Sequence, residues 1–243
     1  MELKKILAIA LSTLALVSCA KGMGSDSAKG GVKFAVSSDE SVVECTKSNV
    51  SDYATLPVAA DFTITVTGTD YSWSGKVSEW DATTALATGN YSVTASYGAS
   101  DEEGFGKPYF TGSADFAVVG GQTTAVSIPV SLANTIVKVS CSEMFNNYFP
   151  SYTFVITRDG NNVVEFAKGE TRAAFVDGYK FTLAGTLVGE VKTQTFSKEY
   201  TNLDEKTCYT FTFDANNVGG ASVTITFNDT VETVDLDELE LND

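Results

Sequence analysis

The residues able to do chemistry are few, and their types narrow the options. The 243-residue chain has no histidine, which removes Ser-His-Asp and Cys-His catalysis, His-ligated zinc and imidazole acid–base chemistry. Carboxylate-pair and Ser-Lys hydrolysis stay open on residue type alone. No stretch has the spacing of a P-loop, a dinucleotide fingerprint or an EF-hand. Tyr71, Trp73 and Trp80, around Gly75, are aromatics that would stack on sugar rings if exposed. Tyr71, Trp73 and Gly75 share one strand phase, which favours core packing. Asp101-Glu102-Glu103 and the group Asp235, Asp237, Glu238 offer oxygen ligands of the kind calcium takes. Neither has ordered ligand spacing, so both read as solvated charge. The sequence therefore assigns no catalytic residue, no metal site and no cofactor, and the expectation is a protein that is not an enzyme.

The cysteines divide into one with a function and three without. Lys4 and Lys5 precede an apolar run, Ile6 to Val17, interrupted only by Ser12 and Thr13. That run is short of the ~20 residues needed to span a bilayer and suits a signal peptide. It ends at Leu16-Val17-Ser18-Cys19, which resembles the lipobox of bacterial lipoproteins: Leu16 fills an apolar subsite, small Ser18 exposes the bond, and the Cys19 thiol takes a diacylglycerol. Residues 1–18 are expected to be removed and 19–31 to form a lipidated, Gly/Ser-rich tether. No aspartate follows Cys19, so the outer membrane is the expected address, with the body exposed at the cell surface. Cys45, Cys141 and Cys208 are an odd count, against a disulfide framework. Cys141 shares parity with Val137 and Val139, and Cys208 opposes Tyr209, Phe211 and Phe213. The two are expected to face different ways and not to pair, as buried or half-buried thiols.

The elements that must position these residues are strands. Phe62, Ile64 and Val66 alternate with Thr63, Thr65 and Thr67; Tyr91, Val93, Ala95 and Tyr97 with Ser92, Thr94 and Ser96; Tyr152, Phe154 and Ile156 with Thr153, Val155 and Thr157; Val223, Ile225 and Phe227 with Thr224 and Thr226. Period-two alternation of β-branched and aromatic residues marks half-buried strands. Gly120-Gly121, Asp159-Gly160 and Gly219-Gly220 supply turns between such runs. Helix is confined to single turns near Glu143–Asn147 and Leu203–Lys206. A weak repeat pairs Asp61–Val66 with Ser151–Ile156, Gly89–Val93 with Gly178–Leu183, and the strand after Gly120-Gly121 with the strand after Gly219-Gly220. The expected fold is all-β: two tandem antiparallel β-sandwich domains, 32–132 and 133–243. The net charge of −15 disfavours nucleic acid and anionic lipid as partners. The last segment, Val231 to Leu241, reads as an edge strand guarded by acidic residues, with donation to a partner as the alternative.

The block Lys107-Pro108-Tyr109-Phe110-Thr111-Gly112-Ser113, with Asp115-Phe116-Ala117-Val118 and Leu132-Ala133-Asn134 before Val137-Lys138-Val139, resembles a family of Bacteroidetes outer-membrane lipoproteins known only as a domain of unknown function. So does the lead-in Asp61-Phe62-Thr63-Ile64 with Gly89–Gly98. That family is similar in outline to fimbrillin-type pilus subunits and anchors, which have two transthyretin-like sandwiches. The resemblance implies surface adhesion or pilus assembly and no active site. Fimbrillin-type subunits are trimmed by an arginine-specific protease near the first strand, whereas the arginines here are Arg158 and Arg172, both in the second half; Lys29 and Lys33 would suit only a less strict protease. A lipid-anchored base, a tip or a standalone adhesin therefore fits better than a stalk subunit. Asp26-Ser27-Ala28 and Asp229-Thr230-Val231 are similar to the sites this phylum O-glycosylates, at Ser27 and Thr230. The expected partners are the membrane, through Cys19, and other pilus or surface proteins. The alternative is a glycan-binding lipoprotein of a polysaccharide-uptake system, with host or dietary glycans as ligands. A carboxylate hydrolase stands third.

Overall fold

The computed structural model describes residues 28–42, 48–190, 192–215, 221–227 and 230–235. The signal segment 1–18, Cys19, Ser27, Cys45, Gly219-Gly220, Asp237 and Glu238 lie outside the described residues.

The first half contains β1 (Lys29–Asp39), β2 (Ser41–Val42), β3 (Ser48–Asn49), β4 (Thr63–Gly68), β5 (Tyr71–Lys76), β6 (Ala85–Ala87), β7 (Gly89–Tyr97), β8 (Gly104–Phe105), β9 (Phe110–Val118) and β10 (Thr123–Leu132). The second contains β11 (Thr135–Cys141), α1 (Glu143–Tyr148), β12 (Ser151–Arg158), β13 (Asn161–Ala167), β14 (Ala174–Val176), β15 (Lys180–Val188), β16 (Thr193–Thr201), β17 (Cys208–Ala215), β18 (Ala221–Phe227) and β19 (Thr230–Asp235). The alternation becomes burial as expected. Ile64, Val66, Val93 and Ala95 face one core, and Tyr152, Phe154 and Ile156 the other, while their threonine and serine neighbours face out or are half-buried. Asp159 and Gly160 both have positive φ, 50° and 81°, as a tight two-residue hairpin turn requires. Ser142 caps α1 by accepting the Phe145 N–H at 3.1 Å.

Strand order makes the repeat explicit. In the first half β5-β4-β7-β9 is followed by β10-β1-β6 in one seven-stranded sheet. In the second half β13-β12-β15-β16 forms one sheet, and β17-β11-β14 recurs within another. Each strand of the first order has its counterpart in the second, so the chain is two tandem sandwiches of one topology.

Four expectations need correction. The sandwiches are not wholly antiparallel: β1 runs parallel to β10 and β11 parallel to β17, a pairing between the ends of each repeat that leaves no local mark in the sequence. The third element of the repeat differs from the expected pairing: the counterpart of β10 is β17, and the strand after Gly219-Gly220, β18, is an addition on its outer side. The stretch 29–31 is not tether but the start of β1, paired with both β6 and, from Gly31, β10. Gly30 belongs there because a Cβ would lie 2.4 Å from the Val119 carbonyl. Leu203–Lys206 is not helical, since Asn202 and Lys206 have positive φ.

Candidate functional site

The two sequence elements that carried the family resemblance meet at the seam between the halves. The Tyr109 N–H donates to the side-chain oxygen of Asn134, and the Ala133 N–H donates to the Tyr109 carbonyl at 2.8 Å. Leu132 pairs with Phe110 across the ladder. Gly112 is required beside Pro129, because a Cβ there would sit 1.9 Å from the Pro129 carbonyl oxygen. Asn134 is 2% exposed, and a buried amide of this kind is retained where it has partners. The motif residues thus close the β9–β10 corner and fix the exit into β11.

Around this joint the halves share apolar and ionic contacts. Ile136, Ala173, Phe175 and Cys208, all from the second half, belong to the core cluster of the first. Cys208 faces away from its own core, as its phase predicts, yet is 2% exposed because the neighbouring sandwich covers it. Cys141 and Cys208 are not joined to each other. β8, from the first half, adds to the second half's sheet beside β14, and Phe105 meets Phe166 edge-on at 5.3 Å. The expected acidic triplet is split here rather than gathered. Glu102 pairs with Lys107 at the surface. Glu103 turns inward to Arg158 at 3.0 Å and accepts the Asp177 N–H at 2.6 Å, and burial raises its carboxyl above the usual range despite the guanidinium. A second ion pair, Lys206 with Asp39, ties the end of β1 to the loop before β17. Its hydrogen bond, with those from Ser41, holds the Asp39 carboxyl down at about 2.

Trp73 and Trp80 come together, but against each other, and Tyr71 packs separately on Tyr91. The indoles of Trp73 and Trp80 lie 5.0 Å apart at 78°, so they share no flat stacking platform. Trp80 spends its N–H on the Val32 carbonyl at 3.0 Å and meets Phe34 at 4.9 Å. Tyr71 meets Tyr91, and Tyr91 stacks on Phe116 at 5.5 Å and 18°. All three are half-buried and pack on the first core. Thr230 opens β19. Among the described residues no group of three or more His, Cys, Asp or Glu is placed to hold a metal ion.

One surface was not singled out from the sequence. On the outer face of β5-β4-β7-β9, register aligns three rows: Lys76-Thr63-Ser96-Thr111, Ser74-Thr65-Thr94-Ser113 and Ser72-Thr67-Ser92-Asp115. All twelve positions are exposed or half-exposed, and the Thr65 and Ser74 hydroxyls are hydrogen bonded at 2.9 Å. The last row runs into an open groove of about 620 Å³ lined by Thr67, Gly68, Thr69, Asn90, Tyr91, Ser92, Asp115 and Phe116. The alternation of threonines was visible in the sequence. Their alignment across strands was not, because register is set by the pairing of distant segments.

The model of a domain of unknown function (DUF4493) matches residues 28–239, and the chain belongs to that family. No curated protein matches it. Among solved structures, it is similar to a fimbrial assembly protein from Parabacteroides distasonis, with 9% identity over 73% of this chain and 91% of the other and a TM-score of 0.47. It is also similar to a candidate polysaccharide-binding protein from Bacteroides thetaiotaomicron (10% identity, 86% and 99% coverage, TM-score 0.44) and to a candidate adhesin from the same organism (11% identity, 90% and 99% coverage, TM-score 0.43).

Proposed function

We propose that this protein is a lipid-anchored cell-surface protein of the outer membrane whose body has a structural or adhesive role, acting by display rather than by chemistry. The observation that carries this reading is the seam. Two sandwiches are fused by a shared apolar cluster, an exchanged strand and two ion pairs, an arrangement suited to holding a surface at a fixed attitude rather than to closing around a substrate. Cys19 lies ten positions before Lys29, where β1 begins. The ten residue steps between them span at most ~36 Å when extended, so the anchored body stands close to the membrane. Several acyl chains on Cys19 would make the attachment stable where one would be marginal.

The test is fatty-acid labelling and surface shaving of cells making the full-length protein, with a cell-attachment assay beside it. The wild-type chain should take up label, sediment with membranes and be digested on intact cells by added protease. Cys19→Ala should lose the label, leave the membrane and abolish the attachment that the protein confers. An unlabelled wild-type chain, protection on intact cells, or equal attachment by cells with and without the protein would sink the proposal.

A further inference from the structure

We propose that the groove at Asn90 and Asp115, together with the hydroxyl rows that lead from it, binds a neutral polysaccharide. This names a partner for the adhesive reading and rests on that reading only for where the surface is displayed.

Charge is the first argument. The chain carries 31 acidic residues and a net charge of −15, yet the twelve aligned positions hold one carboxylate, Asp115, and one ammonium, Lys76. A face kept nearly uncharged on so acidic a protein neither repels a neutral polymer nor attracts a charged one. Its chemistry is the second argument. Each serine or threonine hydroxyl both donates and accepts, as sugar hydroxyls do. The rows repeat every ~4.8 Å across the strands and every ~7 Å along them, an array that a chain of sugar rings can follow with many weak contacts.

The groove supplies what the rows lack. It is an open depression rather than an enclosed pocket, so a polymer lying across it would remain partly in solvent. Asp115 only accepts hydrogen bonds, while the Asn90 amide does both, so together they orient a ring. The Phe116 ring lies on the opposite, inner face, stacked on Tyr91 within the first core, so recognition in the groove rests on its polar side chains. The second sandwich has no equivalent face: its middle row, Glu165-Val155-Ala184-Ser197, puts two apolar side chains at the centre. Binding through many weak contacts favours polymers over single sugars, because linked units engage at high effective concentration.

The experiment is native electrophoresis of the detergent-extracted full-length protein in gels cast with dextran, xylan, mannan or amylopectin, with polygalacturonate as the charged control. At least one neutral polymer should retard the wild-type protein, and polygalacturonate should not. Asn90→Ala with Asp115→Ala should raise the polymer concentration for half-retardation about tenfold, as expected for losing hydrogen bonds of which one is charge-assisted. Thr94→Arg, which drives a long cation into the middle row, should do the same, while Thr186→Arg on the second sandwich should change nothing. All four positions are exposed, and unchanged melting temperatures verify that the variants fold. Absence of retardation by every neutral polymer, equal retardation by polygalacturonate, or unaltered binding by the double variant overturns the proposal. Retardation without cell attachment would remove the display reading alone, and attachment without retardation would remove this one alone.

Discussion

In the first sandwich the interior along β4, β7 and β10 is largely aliphatic: Ile64, Val66, Val93, Val126, Ile128, Val130 and Leu132. Its aromatic side chains form two groups: a chain in which Trp73, Trp80, Phe34, Phe116, Tyr91 and Tyr71 touch in that order, and Phe62 with Tyr97 and Phe110. The second sandwich has the same strand order and an aromatic interior, with Phe154 stacked on Phe213 at 4.0 Å and Phe145, Phe149, Phe181, Tyr200 and Phe211 around them. Closure differs as well. β9 and β10 form a hydrogen-bonded corner in the first, whereas β16 and β17 lie in separate sheets in the second, where β18 and β19 extend the sheet beyond β17. A single strand topology thus tolerates two solutions to filling and closing a core. What the halves must agree on is the seam.

The sharpest way to break this comparison is to empty the centre of each core. Phe213→Ala should cost about 3–5 kcal/mol and Ile128→Ala about 2–5 kcal/mol. Urea unfolding should remain one transition in both variants, because the seam couples the halves. A two-step curve in which Phe213→Ala moves only one step would show the sandwiches to be independent. The corner gives a smaller effect. Gly112→Ala should cost about 1–3 kcal/mol, since the Pro129 carbonyl must move, whereas Ser197→Ala on β16, which meets no such corner, should stay within about 0.5 kcal/mol. Equal urea midpoints for the two variants would mean that the corner is not tight.

The smallest effects should appear in the pH dependence of the two seam carboxylates, which shift in opposite directions. Asp39 titrates lower in the folded chain than its ordinary 3.8, so its pair with Lys206 stabilises above that value and the contribution fades as pH falls toward about 2. Its side chain is 56% exposed, so solvent limits the pair to at most ~1 kcal/mol. Glu103 titrates above its ordinary 4.5. The stability it contributes is fully present below 4.5 and is lost as pH rises through the raised value. Asp39→Asn should flatten the acid limb of the urea-midpoint profile. Glu103→Gln should flatten the fall above 4.5. A profile identical to wild type in either variant would detach that carboxylate from the seam.

Much of this fold is written locally. The alternations that produce β4, β7, β12 and β15 are strict because each strand has one face buried, and Asp159-Gly160 specifies its turn unaided. The parallel partners of β1 and β11 were not legible, since pairing between the ends of a repeat is a contact over about a hundred residues in the first half and about seventy in the second. β8 and β14 are too short to show periodicity. Cys208 had a readable phase but an unreadable fate, because what buries it is the other sandwich. The same holds for Tyr109 and Asn134, whose resemblance to a family was visible while their hydrogen bond was not. At the proposed glycan surface, the threonines were legible as strand formers and Asn90 and Asp115 were inconspicuous. Only register collects them.

The parallel pairing of β1 has a mechanical consequence. Any pull delivered through the N-terminal segment enters at Lys29 and runs along the axis of β1, which is aligned with β10 at nine successive positions, Gly31 to Asp39. Inter-strand bonds of a parallel pair lie across the strands, so such a pull shears the whole ladder at once instead of unzipping it bond by bond. The far end of β1 is fastened again by Asp39 to Lys206 in the second half. Tension applied at that end is therefore shared by both sandwiches before either begins to open.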